Sequence, residues 1–286
     1  MDRIGILVHP TRVVQEAVVL LQRWTQERGL ELAQITAGEQ PAVAPPGEVS
    51  ACDLVVALGG DGTVLKALHA AAKTRTPVLG VAYGSLGALT AVPVDELRAG
   101  LDRFAAGDWF ARHLPALDLG ASGQHVSWAI NDFVLGRRGG TQLLLDVYVD
   151  EELYVRLAGD GMVVATAMGS SAYSMAAGGP MLAVGTKSFV CTPLAMHGGC
   201  APPLVVSHDR HVTIQVHPGR GGFDLEIDGF HHDTEAERFT VRSQDAFTTL
   251  VSLADSGSGL TGLRERGLIA DSPRVRGRDR RALDGS

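Results

Sequence analysis

The stretch "LVVALGGDGTVLKALHA", residues 54–70, decides the fold. Leu54 to Leu58 form an apolar run of strand length, and Thr63 to Lys73 read as a helix. Between them stand Gly59, Gly60, Asp61 and Gly62. Glycines at a strand-to-helix junction admit backbone conformations that a Cβ forbids, and they let backbone N–H groups come close to an anion. The helix that follows adds unpaired N–H groups and the positive end of its dipole. A carboxylate inside such a cradle costs electrostatic energy unless it has a task. Two tasks fit Asp61: accepting a proton from an attacking hydroxyl, or helping to hold magnesium beside phosphates. The plain alternative is a turn or N-cap residue in a tight Gly-Asp turn. The loop is neither GxxxxGK[ST] nor GxGxxG, so neither common phosphate-loop pattern applies.

Working outward, "IGILV" (Ile4 to Val8) reads as a buried strand. It is followed by a helix with Val14, Ala17, Val18, Leu21 and Trp24 on one face and Gly29 at its stop. "PVLGV" (Pro77 to Val81) is a third strand, leading into "YGSLG" and a helix around Val94 to Phe104. Strands separated by helical crossovers predict a parallel sheet covered on both faces. From about His113 the pattern changes to short strands, among them "HVSWAI", "FVLG", "QLLLDVYVD", "MVVAT", "SFVCT", "HVTIQVH", "FDLEID", "RFTVRS" and "FTTLVSL". In "HVTIQVH", Val212, Ile214 and Val216 face one way and Thr213 and Gln215 the other. This predicts an antiparallel sandwich, with a boundary near residues 107 to 115.

Composition narrows the function. The net charge of −7 provides no basic field for nucleic acid. No stretch approaches a membrane span, and the first residues carry no cleavable signal pattern, so a cytoplasmic location is expected. Cys52, Cys191 and Cys200 are scattered and form no CxxC pair, which suggests neither a disulfide framework nor a zinc site. "FHHD" at Phe230 to Asp233 holds the one His pair but has no spaced third ligand. The end of the chain, "DSPRVRGRDRRALDGS", is expected to fray.

A second motif, "GDGMVVATAMGSSAYSMAAGGP" (Gly159 to Pro180), repeats Gly-Asp-Gly before a strand, a Gly-Ser-Ser turn and a short helix. Ser170 and Ser171 are suited to cap that helix, and Tyr173 offers an aromatic face with a polar tip. Such a terminus can bind the base or ribose of a nucleotide, or it can be a capped helix and nothing more.

In this order, "GGDGT" and "ATAMGSSAYSMAAGGP" resemble the NAD kinase family, with "PVLGVAYGSLGALT", "AINDFVL" and "EIDGF" as supporting segments. The resemblance runs from about Ile4 to Ile269. It implies an α/β Rossmann-like domain over 1–110, an all-β sandwich over 111–262, and a segment 263–286 returning to the first domain. It implies phosphorylation of the 2'-hydroxyl of the adenosine ribose of NAD by ATP, or by polyphosphate, with Asp61 as base. Magnesium, or another divalent cation, would come with ATP and not from a protein metal motif. Gly59, Gly60, Gly62 and Thr63 would shape the phosphate site. Asn131, Asp132, Asp160, Ser171, Ala172 and Tyr173 would hold the acceptor, and Asp228 would lie near the reacting centre. Family members are homodimers or homotetramers, and the same is expected here.

Departures from the family pattern gather on the acceptor side. Ala82 stands for an Asn, Ala88 for an aromatic, Met168 for a small hydroxyl residue, Ala176 for a serine and Asp132 for a Glu. "TPLAMHGGCAPPLVV" lacks the family's Ser-rich, Arg-Pro continuation. Losing an aromatic stack and a hydroxyl removes roughly 1–3 kcal/mol of recognition, enough to shift acceptor preference about ten- to a hundredfold. A kinase acting on the ribose of a nucleoside or modified nucleotide is therefore the first alternative, with Ala88 and Met168 as its marks. A non-catalytic dinucleotide-binding regulator is the second, and Asp61 argues against it. A lipid kinase with a related loop fits the second motif poorly.

Overall fold

The computed structural model describes residues 1–276 except 13, 37, 39, 85, 184, 219, 254–259 and 266, so the end expected to fray lies outside the described residues from 277 onward. In the first part, β1 (Arg3–Val8) pairs in parallel with β2 (Glu31–Gln34) and β3 (Leu54–Gly59). β3 continues in parallel to β4 (Val78–Ala82), which carries the short β5 (Val92–Pro93). Every residue of β3 is buried, because its two faces serve two helical layers. Leu54, Val56 and Leu58 share a core with Leu21 and Trp24 of α1 (Gln15–Glu27) and Leu101 of α3 (Leu97–Ala105). Val55 and Ala57 pack instead with Val64 and Leu68 of α2 (Asp61–Ala71). α1 stops as the sequence predicts: Gly29 takes φ +66°, a conformation that favours glycine, and its N–H donates to Gln26.

The second part begins with β6 (Phe110–Ala121), β7 (Gln124–Ala129), β8 (Asp132–Arg137), β9 (Leu143–Val149), β10 (Glu152–Gly159) and β11 (Gly161–Thr166). After the one-turn α4 (Tyr173–Ala176) come β12 (Ser188–Leu194), β13 (Leu204–Ser207), β14 (His211–His217), β15 (Phe223–Ile227), β16 (Phe230–His232), β17 (Arg238–Ser252) and α5 (Leu260–Glu265). One sheet runs β13-β12-β11-β8-β15-β16 and is antiparallel throughout. It faces β10-β9-β14-β17 with β6 and β7. Phe133, Met162 and Phe189 interleave there with Leu145, Ile214 and Phe239. Val212, Ile214 and Val216 enter this core together, as the alternation predicts.

Three local expectations need correction. "RFTVRS" and "FTTLVSL" are not separate strands but the two ends of the 15-residue β17. The polar residues between them lie at a register shift against β6, between Gln244 and Thr248. β6 itself was not anticipated, because Pro115 breaks its pattern. Pro115 falls at that same irregularity, where no ladder N–H is required. Finally, Ser170 and Ser171 do not cap α4. They form a 3-10 turn over Gly169–Ser171 and donate back to the carbonyls of Ala167 and Met168.

The end of β17 pairs in parallel with β4 through Leu250 and Val78, so a single 11-stranded sheet joins both parts. α2 lies in the angle between them. Its Val64, Leu65 and Leu68 pack with β3 on one side and with Leu114, Ile130 and Phe247 on the other.

Candidate active site

β3 delivers the glycine loop to the mouth of this angle. A Cβ on Gly59 would lie 2.2 Å from Thr63 Oγ1, so Gly59 permits the close strand-to-helix turn. Gly60 and Gly62 face open space, and neither has the positive φ that glycine alone takes readily. Open space beside them, and not unusual backbone, is what the structure gives at these two glycines, which corrects the expectation that their conformation is special. The space they border is a cavity of about 450 Å³, also lined by Thr63, His9, Arg12, Lys66 and, from the second part, Phe230. Lys66 Nζ lies 5.2 Å from the centre of the Phe230 ring. Burial, followed by the charges of Arg12 and Lys66, holds the His9 imidazole below its ordinary pKa. The cavity therefore sets the start of α2 beside two cationic side chains, Arg12, which donates to Tyr83 O, and Lys66.

Asp61 lines that cavity and is not a cap. Its carboxylate accepts from the backbone N–H groups of Ala88 (2.9 Å) and Leu89 (3.0 Å), in the loop after β4. The helix cap position is Gly60, with no side-chain bond. Two external donors thus aim the carboxylate across the junction, away from its own helix.

Asp228, the first residue of the β15–β16 turn, gathers the turn that carries Asn131 and Asp132. Its enclosed carboxylate accepts from the N–H groups of Ile130 (2.8 Å), Asn131 (2.7 Å) and Asp132 (3.0 Å), and from His69 Nε2 (2.6 Å). Asn131 O accepts from Thr166 N–H, and a Cβ on Gly169 would lie 2.0 Å from that oxygen, so the β7–β8 turn rests against the segment carrying Met168. Asp132 is buried, and that burial, with Asp228 and Glu226 nearby, pushes its carboxyl up to about 7.

Ala88 and Met168 are joined through Arg112, whose guanidinium donates to Ala88 O (3.3 Å) and lies 3.9 Å from Met168 Sδ. Arg112 and Met168 border a separate cavity of about 360 Å³. Asp160 and Tyr173 stand apart from Asp61. They line a third cavity, of about 380 Å³, with Val134 and Leu194, which pack on the face of the six-stranded sheet turned away from the sandwich core. Asp160 is there ion-paired with Arg137. Ser171 and Ala172 sit between Met168 and Tyr173, at the tight turn into α4.

Sequence reasoning missed His9, Arg12, Lys66, His69 and Arg112. His9, Arg12 and Arg112 belong to no spaced motif, and the contacts of all five with the site arise only from folding. Lys66 and His69 did carry a signal, since they share a helix face with spacing of three. Among the described residues no cluster of three metal-ligating side chains occurs, and no helix is long and apolar enough to cross a membrane.

Residues 37–109 match the ATP-NAD kinase N-terminal domain, and residues 130–243 match the ATP-NAD kinase C-terminal domain. An NAD kinase of Chloroflexus aurantiacus is 32% identical over 280 residues, covering 93% of this chain and 98% of the relative. An NAD kinase of Koribacter versatilis is 33% identical, covering 80% and 85%. Among solved structures, yeast NADH kinase complexed with NADH superposes with a TM-score of 0.82 at 22% identity, covering 95% of this chain and 89% of the other. An NAD kinase from Archaeoglobus fulgidus in complex with ATP superposes at 0.73 and 20% identity, covering 94% and 100%. With the loop, the two-part fold and full-length relatives in agreement, this chain belongs to the NAD kinase family and is a phosphotransferase.

Proposed function

We propose that the chain transfers the γ-phosphoryl group of ATP to the 2'-hydroxyl of the adenosine ribose of NAD, giving NADP, with Asp61 as the general base. The observation that carries this reading is the Asp61 carboxylate, held by two backbone donors at the edge of a cavity that contains Gly60, Gly62, Arg12 and Lys66. The triphosphate would occupy that cavity, its charge met by Lys66, Arg12 and the first N–H groups of α2. The ribose hydroxyl would enter beside Asp61 and give up its proton to the carboxylate. As the new O–P bond forms, the bond from the γ-phosphorus to the bridging oxygen breaks, and ADP leaves with that electron pair.

Magnesium would come with the nucleotide, held by its phosphate oxygens, since both Asp61 oxygens already accept from Ala88 and Leu89 and the described residues form no metal-ligating cluster. When bound, magnesium neutralises charge that develops on the transferring group. Asn131 and Asp132 would hold the acceptor next to Met168 and Ala88, and Ser171, Ala172 and Tyr173 would extend its path toward Asp160. The ATP-bound and NADH-bound structural neighbours support donor and dinucleotide binding by this fold. The family resemblance also carries the proposals of a homodimer or homotetramer, a cytoplasmic location, and the division 1–110, 111–262 and 263–286.

A second acceptor is favoured by one feature, the Arg112 guanidinium lying against Ala88 and Met168, which reshapes the side where the family has an aromatic and a hydroxyl. Mass spectrometry after incubation with magnesium, ATP and either NAD or a nucleoside panel separates the two. NADP phosphorylated at the 2'-position is the expected product. A phosphorylated nucleoside without NADP would replace the acceptor and keep the donor half.

A further inference from the structure

One face of α2 meets the β15–β16 hairpin at two points. Lys66 stands over Phe230, and three residues on, His69 Nε2 donates to Asp228 Oδ2 at 2.6 Å. The hairpin turn is Asp228-Gly229, with φ of +50° and +78°, both in the left-handed region as a two-residue type I′ turn requires.

The Asp228 carboxylate has four donors, two on each oxygen. Oδ1 takes the N–H groups of Asn131 and Asp132; Oδ2 takes Ile130 N–H and His69. Asp228 N–H in turn donates to Asp132 O at 2.8 Å. Three consecutive amides of the β7–β8 turn are thus folded around one anion, a nest that fixes the turn's shape. The fourth donor differs in kind: it is a side chain and comes from the helix that begins at Asp61. Eight helical steps, about 12 Å, separate Asp61 from His69 along a rigid axis.

We propose that His69 is a positioning residue for the acceptor, setting the distance between the Asp61 carboxylate and the Asn131–Asp132 turn. This rests on the reading of Asn131 and Asp132 as acceptor-binding residues. Without His69, Asp228 keeps three backbone donors, so the nest persists, and α2 keeps its apolar packing on Ile130 and the Lys66–Phe230 contact but loses its one hydrogen bond to the nest. His69 is partly open to solvent while the Asp228 carboxylate is enclosed, so the conservative His69→Gln variant, which keeps a donor there, is needed beside the apolar one. His69 does not line the cavity that Lys66 and Phe230 border, so ATP binding should be little affected.

The test compares His69→Leu with His69→Gln, whose amide can donate from nearly the same place. In His69→Leu the KM for the acceptor is expected to rise at least about tenfold while the KM for ATP changes less than about twofold, with most of the loss restored in His69→Gln. Amide hydrogen exchange over residues 130–132, measured without substrates, is expected to quicken in His69→Leu and recover in His69→Gln. An unchanged acceptor KM in folded His69→Leu would overturn the proposal, even with faster exchange. Equal rises in both KM values without rescue by Gln would also overturn it, because they indicate general loosening. Failure of the NAD reading is seen separately, in the parent protein's product, and the comparison then uses the acceptor that the parent phosphorylates.

Discussion

A Cβ on Gly87 would lie 2.0 Å from Asp61 Oδ1. Gly87 does not have a positive φ, so glycine is needed there for contact and not for backbone conformation. The two N–H donors to Asp61 follow directly at Ala88 and Leu89, so the loop closes on the carboxylate without a side chain between them. Gly87→Ala is therefore expected to push the carboxylate from its donors and lower kcat about a hundredfold, while the circular dichroism of the fold is unchanged. Parent-like kcat in this variant would show that the observed carboxylate position is not the one used.

Lys66 and Arg12 bring positive charge to the cavity beside Gly60 and Gly62. Lys66→Met is expected to raise the KM for ATP about tenfold and to weaken its dependence on salt, with a much smaller effect on the acceptor. Steady-state kinetics at two ionic strengths checks this. A change confined to the acceptor would reassign the cavity.

Asp132 makes stability depend on pH in the direction opposite to most carboxylates. Its carboxyl titrates near 7 when folded and near 3.8 when unfolded, because burial and the neighbouring Asp228 and Glu226 disfavour the charged form. The folded state keeps this proton over a range where the unfolded state has lost it. Stability therefore falls as pH rises from about 4 to about 7 and levels off above. Asp132→Asn removes this slope, so the variant's stability relative to the parent should improve by on the order of 2 kcal/mol between pH 5 and pH 8. Urea unfolding across that range gives the answer; a parallel pair of curves would place the Asp132 titration elsewhere.

Met168 lies beside the turn that carries Asn131 and against Arg112. Met168→Ser restores the small hydroxyl expected at this position and should lower the KM for NAD about threefold or more, with ATP unaffected, since one hydrogen bond is worth roughly 1 kcal/mol. A higher KM for NAD would mean that the thioether itself supports the acceptor.

The strand-loop-helix around Asp61, the parallel core and the sandwich were legible because they follow from local periodicity and glycine placement. "HVTIQVH" announced its buried face residue by residue, and it lies in the core as read. β17 was not legible as one strand, because its polar centre is tolerated only where β6 is irregular. Asp61 could be singled out from sequence as a carboxylate among glycines, but its partners at Ala88 and Leu89 lie 27 and 28 residues away and depend on tertiary closure. His69 and Asp228 are 159 residues apart, and neither residue type indicates the other.

The most direct measurement is the rate of NADP formation by Asp61→Asn beside the parent, with magnesium and ATP saturating. The amide turns one N–H donor toward a backbone N–H, so a modest loss of stability, on the order of 1–3 kcal/mol, accompanies the change. Turnover is expected to fall by at least about a thousandfold while ATP still binds, because the variant keeps the cavity and loses the base. A folded variant that forms NADP within tenfold of the parent rate would contradict the assignment of Asp61 as the group that takes the proton.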